Sequence, residues 1–274
     1  SGYSVSGVQK ISDYTKISSF LVSFFVLGFF TSISELSVAV FSVLDSTPQV
    51  SVGNLIGASS ILTLLVIPLL SLIDKSVRFE ENSSSVNLPF AYFVISLPVF
   101  LILDKRLTLL DGFIIVVALA LLFITTSLKK PLLEKIEDFV EFKKVNIFKE
   151  LSKVLLGVAL IVVSSKYIVD TSVLYANMFN APPFLIGLLL ISIGTNLPEL
   201  SIFVRATLGH KKGIALGDYI GSAVMNTGVF AFLIFFNYNP IILGEAVKYN
   251  LFLLPFGSIL LLLFIKDRRL PTYE

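Results

Sequence analysis

Thr31-Ser-Ile-Ser-Glu35-Leu-Ser37 and Thr195-Asn-Leu-Pro-Glu199-Leu-Ser201 are two copies of one pattern, and each sits in the middle of a long apolar run. A carboxylate at the centre of a membrane span costs roughly 2.5 to 3.5 kcal/mol on insertion scales. Two of them in matched contexts point to a shared cation. The plainer alternative is a buried carboxylate pair that only holds helices together.

Composition places these runs in a bilayer. Of 274 residues, 55% are hydrophobic and 15% charged, and the apolar runs reach about 20 residues, enough to cross roughly 30 Å of hydrocarbon. The runs predict eight spans, at 17–44, 52–73, 87–103, 108–128, 150–174, 182–206, 213–236 and 247–265. They read as helices, because a span has no water for its backbone groups and a closed barrel would show short alternating strands. The fold class expected is therefore all-α and integral to the membrane, with the lipid bilayer as first partner. The first sixteen residues mix polar and apolar types without a compact apolar core, so no cleavable signal peptide is expected. With no cysteine there is no disulfide framework. The net charge of +2 is dispersed over loops, which gives no continuous basic face and no nucleic-acid role. No Asp pair, His cluster or Ser/Lys dyad lies at membrane depth, so neither an enzyme nor an organic cofactor is expected.

Charge orients the spans. Basic residues fill the segments before the first span and after the second, fourth, sixth and eighth, with Lys129, Lys130, Lys135, Lys143, Lys144 and Lys149 in the longest. The alternate loops hold Lys105, Arg106 and Lys248. The positive-inside rule makes the basic side cytoplasmic, with loop 129–149 and the C-terminus on it. Leu133, Ile136, Phe139 and Val140 recur at helical spacing in that loop, which predicts an amphipathic linker helix along the membrane surface. Asn82-Ser-Ser fits a glycosylation acceptor but falls on the inner side, so it is read as chance.

With this parity the two motifs run in opposite directions. An offset of 164 residues pairs Thr31 with Thr195, Glu35 with Glu199, Ser37 with Ser201, Gly53 with Gly217 and Gly57 with Gly221. The organisation expected is a first repeat over 1–128, a linker over 129–149 and a second, inverted repeat over 150–274. Inverted repeats place a substrate site near the midplane, between the halves. Each Thr and Glu, four residues apart, would share a helix face. Oxygen donors with two negative charges suit calcium or sodium better than zinc or copper. Pro198 and Gly194 would loosen the second span and free carbonyl oxygens. Gly53, Gly57, Gly217 and Gly221 would let the following spans approach closely.

Phe30-Thr-Ser-Ile-Ser-Glu35 with Gly53-Asn-Leu-Ile-Gly57, and Gly194-Thr-Asn-Leu-Pro-Glu199 with Gly217-Asp-Tyr-Ile-Gly221, resemble the two alpha repeats of the sodium/calcium exchanger family of cation antiporters, here spanning 30–62 and 194–226. The resemblance implies calcium held by Thr31, Glu35, Thr195 and Glu199. It also implies sodium held by the same glutamates with Ser32, Asn196 and Ser222, while Asn226 stands where the family commonly has an acid. Ser222 and Asn226 could equally be ordinary interhelical hydrogen-bond partners.

The first copy departs at Phe30 and Ser34, where the family has Gly and Pro, and at Ala58 and Leu62, which stand opposite Ser222 and Asn226. Loss of those ligands is expected to weaken sodium coupling more than calcium binding, leaving protons as an alternative counter-ion. Asp218, where the family has Asn, reads as a water-facing residue near the cytoplasmic mouth rather than a compensating ligand. Family members usually have ten spans; Val5 to Tyr14 resembles the tail of the first, and Arg268 to Glu274 the lead-in to the tenth.

The function implied is secondary antiport of calcium against sodium or protons by alternating access. The competing reading is an exchanger-like subunit that has lost transport and serves a membrane complex with protein partners. The orientation has its own test. In intact cells K143C should resist an impermeant thiol reagent until the membrane is opened, and labelling from outside would reverse the assigned topology.

Overall fold

Helix starts are written into the sequence. The Ser18 hydroxyl accepts from the Leu21 N–H at 3.4 Å, and the Asn87 carbonyl oxygen Oδ1 accepts from Phe90 N–H at 3.4 Å. Asp111 Oδ2 accepts from Thr108 N–H and hydroxyl at 2.7 and 2.8 Å, tying the turn that opens its helix. Pro48 and Pro183 sit in first turns, where a missing N–H costs nothing.

The computed structural model describes residues 5–6, 8–9, 11–12, 18–63, 86–127, 147–209, 211–245 and 247. In chain order it contains α1 (Ser19–Val22), a π-helical turn (Ser23–Leu27), α2 (Gly28–Thr31), α3 (Ile33–Leu44), α4 (Pro48–Ile61), α5 (Leu88–Leu101) and β1 (Arg106–Leu107). There follow α6 (Leu109–Ser127), α7 (Ile147–Met178), α8 (Pro183–Ile186), a second π-helical turn (Gly187–Ile191), α9 (Ser192–Thr195), α10 (Leu197–Leu208), α11 (Lys212–Asn237) and β2 (Ile241–Ile242).

The repeat is visible in these boundaries. Helix α1, the π-turn, α2 and α3 recur as α8, π-turn, α9 and α10, each shifted by 164 residues. Even the break between the last two recurs, at Ser32 (φ −72°, ψ 1°) and Asn196 (φ −88°, ψ 4°). Proline does not create the break, since Ser34 stands where Pro198 does. Proline instead sets its severity: α8–α9 and α10 meet at 41°, while Ser19–Leu44 counts as one span.

The four motif glycines pack each repeat against the other. A Cβ on Gly53 would lie 2.0 Å from the Phe184 carbonyl oxygen, and one on Gly57 2.3 Å from that of Leu188. On the other side, Cβ atoms on Gly217 and Gly221 would lie 2.2 Å from the carbonyl oxygens of Phe20 and Phe24. Phe184 and Leu188 are the 164-residue equivalents of Phe20 and Phe24, so α4 seats against α8 and its π-turn as α11 seats against α1 and its own. Backbone contact of this kind between small residues is how helices associate where lipid is as apolar as leucine. Exposed Phe29, Phe30, Leu110 and Phe113 face outward, as lipid contact requires.

Short links join the loops after α3, α5 and α11 on one face of the bundle. β1 pairs antiparallel with β2, Arg106 opposite Ile242 and Leu107 opposite Ile241. Lys105 pairs with Glu245, and Gln49 Nε2 donates to the Ile242 carbonyl at 3.1 Å. Lys166 pairs with Asp170 at 2.8 Å, the i,i+4 pair that the spacing suggests, and also with both Asp45 oxygens at 2.8 Å, which fastens α7 to the end of α3.

Several span expectations change. Three helices among the described residues are long and apolar enough to cross a membrane, Ser19–Leu44, Leu109–Thr126 and Gly213–Asn237, or four with the bent pair of the second motif. The span drawn at 87–103 is shorter and ends in a 3-10 turn, Ile102–Asp104. The helix drawn from 150 begins at Ile147 and runs to Met178, because no breaker interrupts it before Asn180 takes a left-handed φ of 49° ahead of Pro182-Pro183. The span at 247–265 beyond its first residue, the second half of 52–73, the linker from 129 to 146, Asn82 and His210 lie outside the described residues.

Glycine packing yields a paired test. Gly53→Ala should destabilise the protein by about 1 to 3 kcal/mol through overpacking, read as a fall in the thermal midpoint in detergent. Gly194→Ala, whose Cβ would meet nothing within 4 Å, should leave the midpoint unchanged or higher.

Candidate cation-binding site

The paired breaks carry the two carboxylates. Glu35 lies in the first turn of α3 and Glu199 in the first turn of α10, where the partial positive charge of a helix start favours an anion. Both are completely buried, and they are close enough to repel each other electrostatically. Threonines cross over between repeats: Thr195 lies beside Glu35, and Thr31 beside Glu199. The break means that Thr31 and Glu35 do not share one continuous helix face; their meeting point is built from both halves.

Hydrogen bonding leaves most of this oxygen unspent. Glu35 Oε2 accepts from the Ser34 hydroxyl at 2.9 Å, but Glu35 Oε1 and both oxygens of Glu199 have no partner. A buried anion normally keeps hydrogen bonds or a counter-charge, because desolvation costs several kcal/mol per ion. Among the described residues no ion pair involves either glutamate, and no three acidic, His or Cys side chains converge on a single ion position. Any ion between Glu35 and Glu199 would therefore complete its shell with neutral oxygens.

Neutral oxygens surround them. Thr31 Oγ1 donates to the Leu27 carbonyl at 2.9 Å and lies 2.8 Å from Ser222 Oγ. Ser32 Oγ donates to the Gly28 carbonyl at 2.9 Å and to Asn226 Oδ1 at 3.1 Å. Thr195 Oγ1 donates to Asn54 Oδ1 at 3.1 Å. Asn196 donates through Nδ2 to the Ser192 carbonyl at 2.6 Å, while its Oδ1 is buried without a partner. All eight residues singled out in the sequence thus lie at the two breaks or on α11, which packs against the first break.

Two residues change status. Asp218 is fully buried rather than water-facing, both its oxygens lack partners, and it lies near enough to Glu199 to feel its charge. It is drawn inward because it falls four residues before Ser222, on the face of α11 that meets the first repeat. Asn54, its equivalent in α4, carries no role in the sequence reading although it accepts from Thr195; the signal available was its place at the 164-residue offset from Asp218, each a polar residue directly after a motif glycine. Phe30 also finds an explanation. It is exposed, and a side chain at the matching Gly194 would meet nothing, so the position tolerates Phe or Gly.

The sequence profile of the sodium/calcium exchanger protein family matches residues 1–128 and 151–273. The chain belongs to the sodium/calcium exchanger family. It is similar to the uncharacterized membrane protein MJ0091 of Methanocaldococcus jannaschii, with 25% identity over 228 residues, 83% of this chain and 74% of that one. A shorter stretch of 78 residues is 38% identical to the sodium/calcium exchanger MaX1 of Methanosarcina acetivorans, covering 28% of this chain and 22% of MaX1. In fold, this exchanger is similar to the sodium-calcium exchanger NCX_Mj, with a TM-score of 0.65 and 23% identity over 97% of this chain and 85% of that one. This exchanger is therefore a helical membrane cation transporter of the sodium/calcium exchanger type.

Proposed function

We propose that this exchanger carries calcium across the membrane against sodium or protons, with Thr31, Glu35, Thr195 and Glu199 as the calcium ligands. The observation that carries the reading is the buried pair Glu35 and Glu199, in which three of four carboxylate oxygens lack a hydrogen-bond partner. Carboxylates with hydroxyl and amide oxygens around them form a shell for a hard cation such as calcium, which takes 6 to 8 oxygens at about 2.3 to 2.6 Å. Ser32, Asn196, Ser222 and Asn226 supply auxiliary or sodium ligands.

Alternating access follows from the same architecture. Each break belongs to one repeat but is lined by a helix of the other, α11 at the first and α4 at the second, so motion of one bundle against the other would open the shared site to either side in turn. The linker 129–149 and the C-terminus are assigned to the cytoplasmic side, and no catalytic chemistry is assigned.

The test is uptake of radiolabelled calcium by purified protein in liposomes, with sodium and pH gradients imposed separately. Glu199→Gln and Glu35→Gln should each cut uptake at least about tenfold, since losing one of two charges on a buried divalent site removes several kcal/mol of attraction. Thr195→Ala should cost less, about the 1 kcal/mol of a neutral hydrogen-bonding group. Ala58 and Leu62 favour one competing outcome. No uptake under any gradient, with Glu199→Gln indistinguishable from the unmodified protein, would make the chain a non-transporting subunit.

A further inference from the structure

Helix α7 is held differently from its counterpart in the first repeat. Across the 164-residue offset Val5, Val8 and Ile11 correspond to Val169, Ser172 and Tyr175. Val5 and Val8 are buried in the main apolar core and Ile11 packs against it, whereas no described side chain of α7 belongs to that core. Val169 instead joins a separate cluster with Val38, Val50 and Ile191. The buried stripe along α7 is Ser165, Val169, Ser172 and Ala176. Such small side chains raise low ridges that interlock little with a neighbouring helix.

What α7 lacks in apolar contact it has in charge. Lys166 Nζ donates to both Asp45 oxygens and to Asp170 Oδ1, each at 2.8 Å, and lies 5.9 Å from the centre of the Phe41 ring. Asp45 caps the C-terminus of α3, where an acid meets the negative end of the helix and is unfavourable until a cation joins it. The positions equivalent to Lys166, Asp170 and Asp45 are Gly2, Ser6 and Gly209, so no matching ion pair forms at those positions in the other half. On its far side α7 stands away from the second motif. A cleft of about 280 Å³ is lined by Tyr167, Thr171 and Ser172 of α7 and by Leu190, Ile191 and Gly194 of the π-turn and α9. There is room for α7 to leave α3 and approach α9.

We propose that the Lys166–Asp45 pair is a latch: it holds α7 on the end of α3, keeps open the cleft beside Gly194, and so favours one state of the exchange cycle over the other. This rests on the alternating-access reading above. Inverted repeats pass between two states by moving one bundle against the other, and with identical halves the two states would have equal energy. A contact present in one half alone removes that equality. Leaving the latched state means separating Lys166 from Asp45, which strands Asp45 at the negative end of α3. The Lys166–Asp170 pair lies within α7 and travels with the helix, so it holds α7 to nothing else.

The experiment measures where α7 stands. The chain has no cysteine, so spin labels are placed by Leu110→Cys on α6 and Leu174→Cys on α7, both exposed, in the full chain in lipid nanodiscs without sodium or calcium. Double electron–electron resonance then gives the distance populations. One latched distance should dominate in this labelled parent. Asp45→Asn and Lys166→Gln should each enlarge a second population about two- to fivefold, the scale of a solvent-accessible ion pair, while Asp170→Asn should change it by less than about 1.5-fold. Choline chloride at about 1 M, where screening acts within about 3 Å, should release the parent as Asp45→Asn does and add nothing to that variant. Unchanged populations in Asp45→Asn or at high salt, or an equal rise in Asp170→Asn, overturn the latch. Absence of calcium uptake by the unmodified protein overturns the antiport reading instead, and the distances, which need no transported ion, still decide the latch.

Discussion

Everything in this bundle is arranged around two carboxylates that a bilayer would otherwise exclude. Glu35 and Glu199 are completely buried, they repel each other, and three of their four oxygens go without hydrogen bonds. Such a pair is tolerable in a membrane interior when a cation takes part in the balance. The helix breaks at Ser32 and Asn196, the threonines that cross between repeats and the amides of Asn54 and Asn226 all present oxygen towards that balance.

Bringing two helix breaks to one point requires the spans to touch through their backbones. Gly53, Gly57, Gly217 and Gly221 provide that contact, each placing its Cα against a carbonyl of the opposite repeat where no side chain fits. The packing is reciprocal, and the 164-residue register recurs in helix boundaries, π-turns and breaks alike. What differs between the halves is chemical rather than architectural: α4 presents Asn54, Ala58 and Leu62 where α11 presents Asp218, Ser222 and Asn226. The polar shell is thus lopsided within a nearly symmetric frame.

The frame was legible in the sequence because it depends on features that a one-dimensional pattern records: apolar length, repeated Thr and Glu, and glycine pairs four residues apart. The offset paired Thr31 with Thr195 and Glu35 with Glu199, and these four residues lie at the two helix breaks. Less legible was the helix break, which the sequence ties to Pro198 although Ser34 occupies the same place in a copy that breaks at the equivalent residue with a smaller bend. Asp218 was placed in water because an isolated acid six residues from a helix start is ordinarily solvated. Only the contact of α11 with the first repeat, a long-range property, shows that this face is closed. Hydropathy likewise does not record that the helix Leu88–Leu101 is only 14 residues long or that the span of the second motif is bent at 41°.

The central claim is that a divalent cation sits between the two glutamates. Anomalous diffraction from crystals of the purified protein grown in calcium and then exchanged into manganese tests it most directly. The account predicts one anomalous peak between the carboxylates of Glu35 and Glu199, within about 2.6 Å of an oxygen from each, and its loss in Glu199→Gln. A fully occupied metal elsewhere with no density between these residues, or an identical peak in Glu199→Gln, would contradict it.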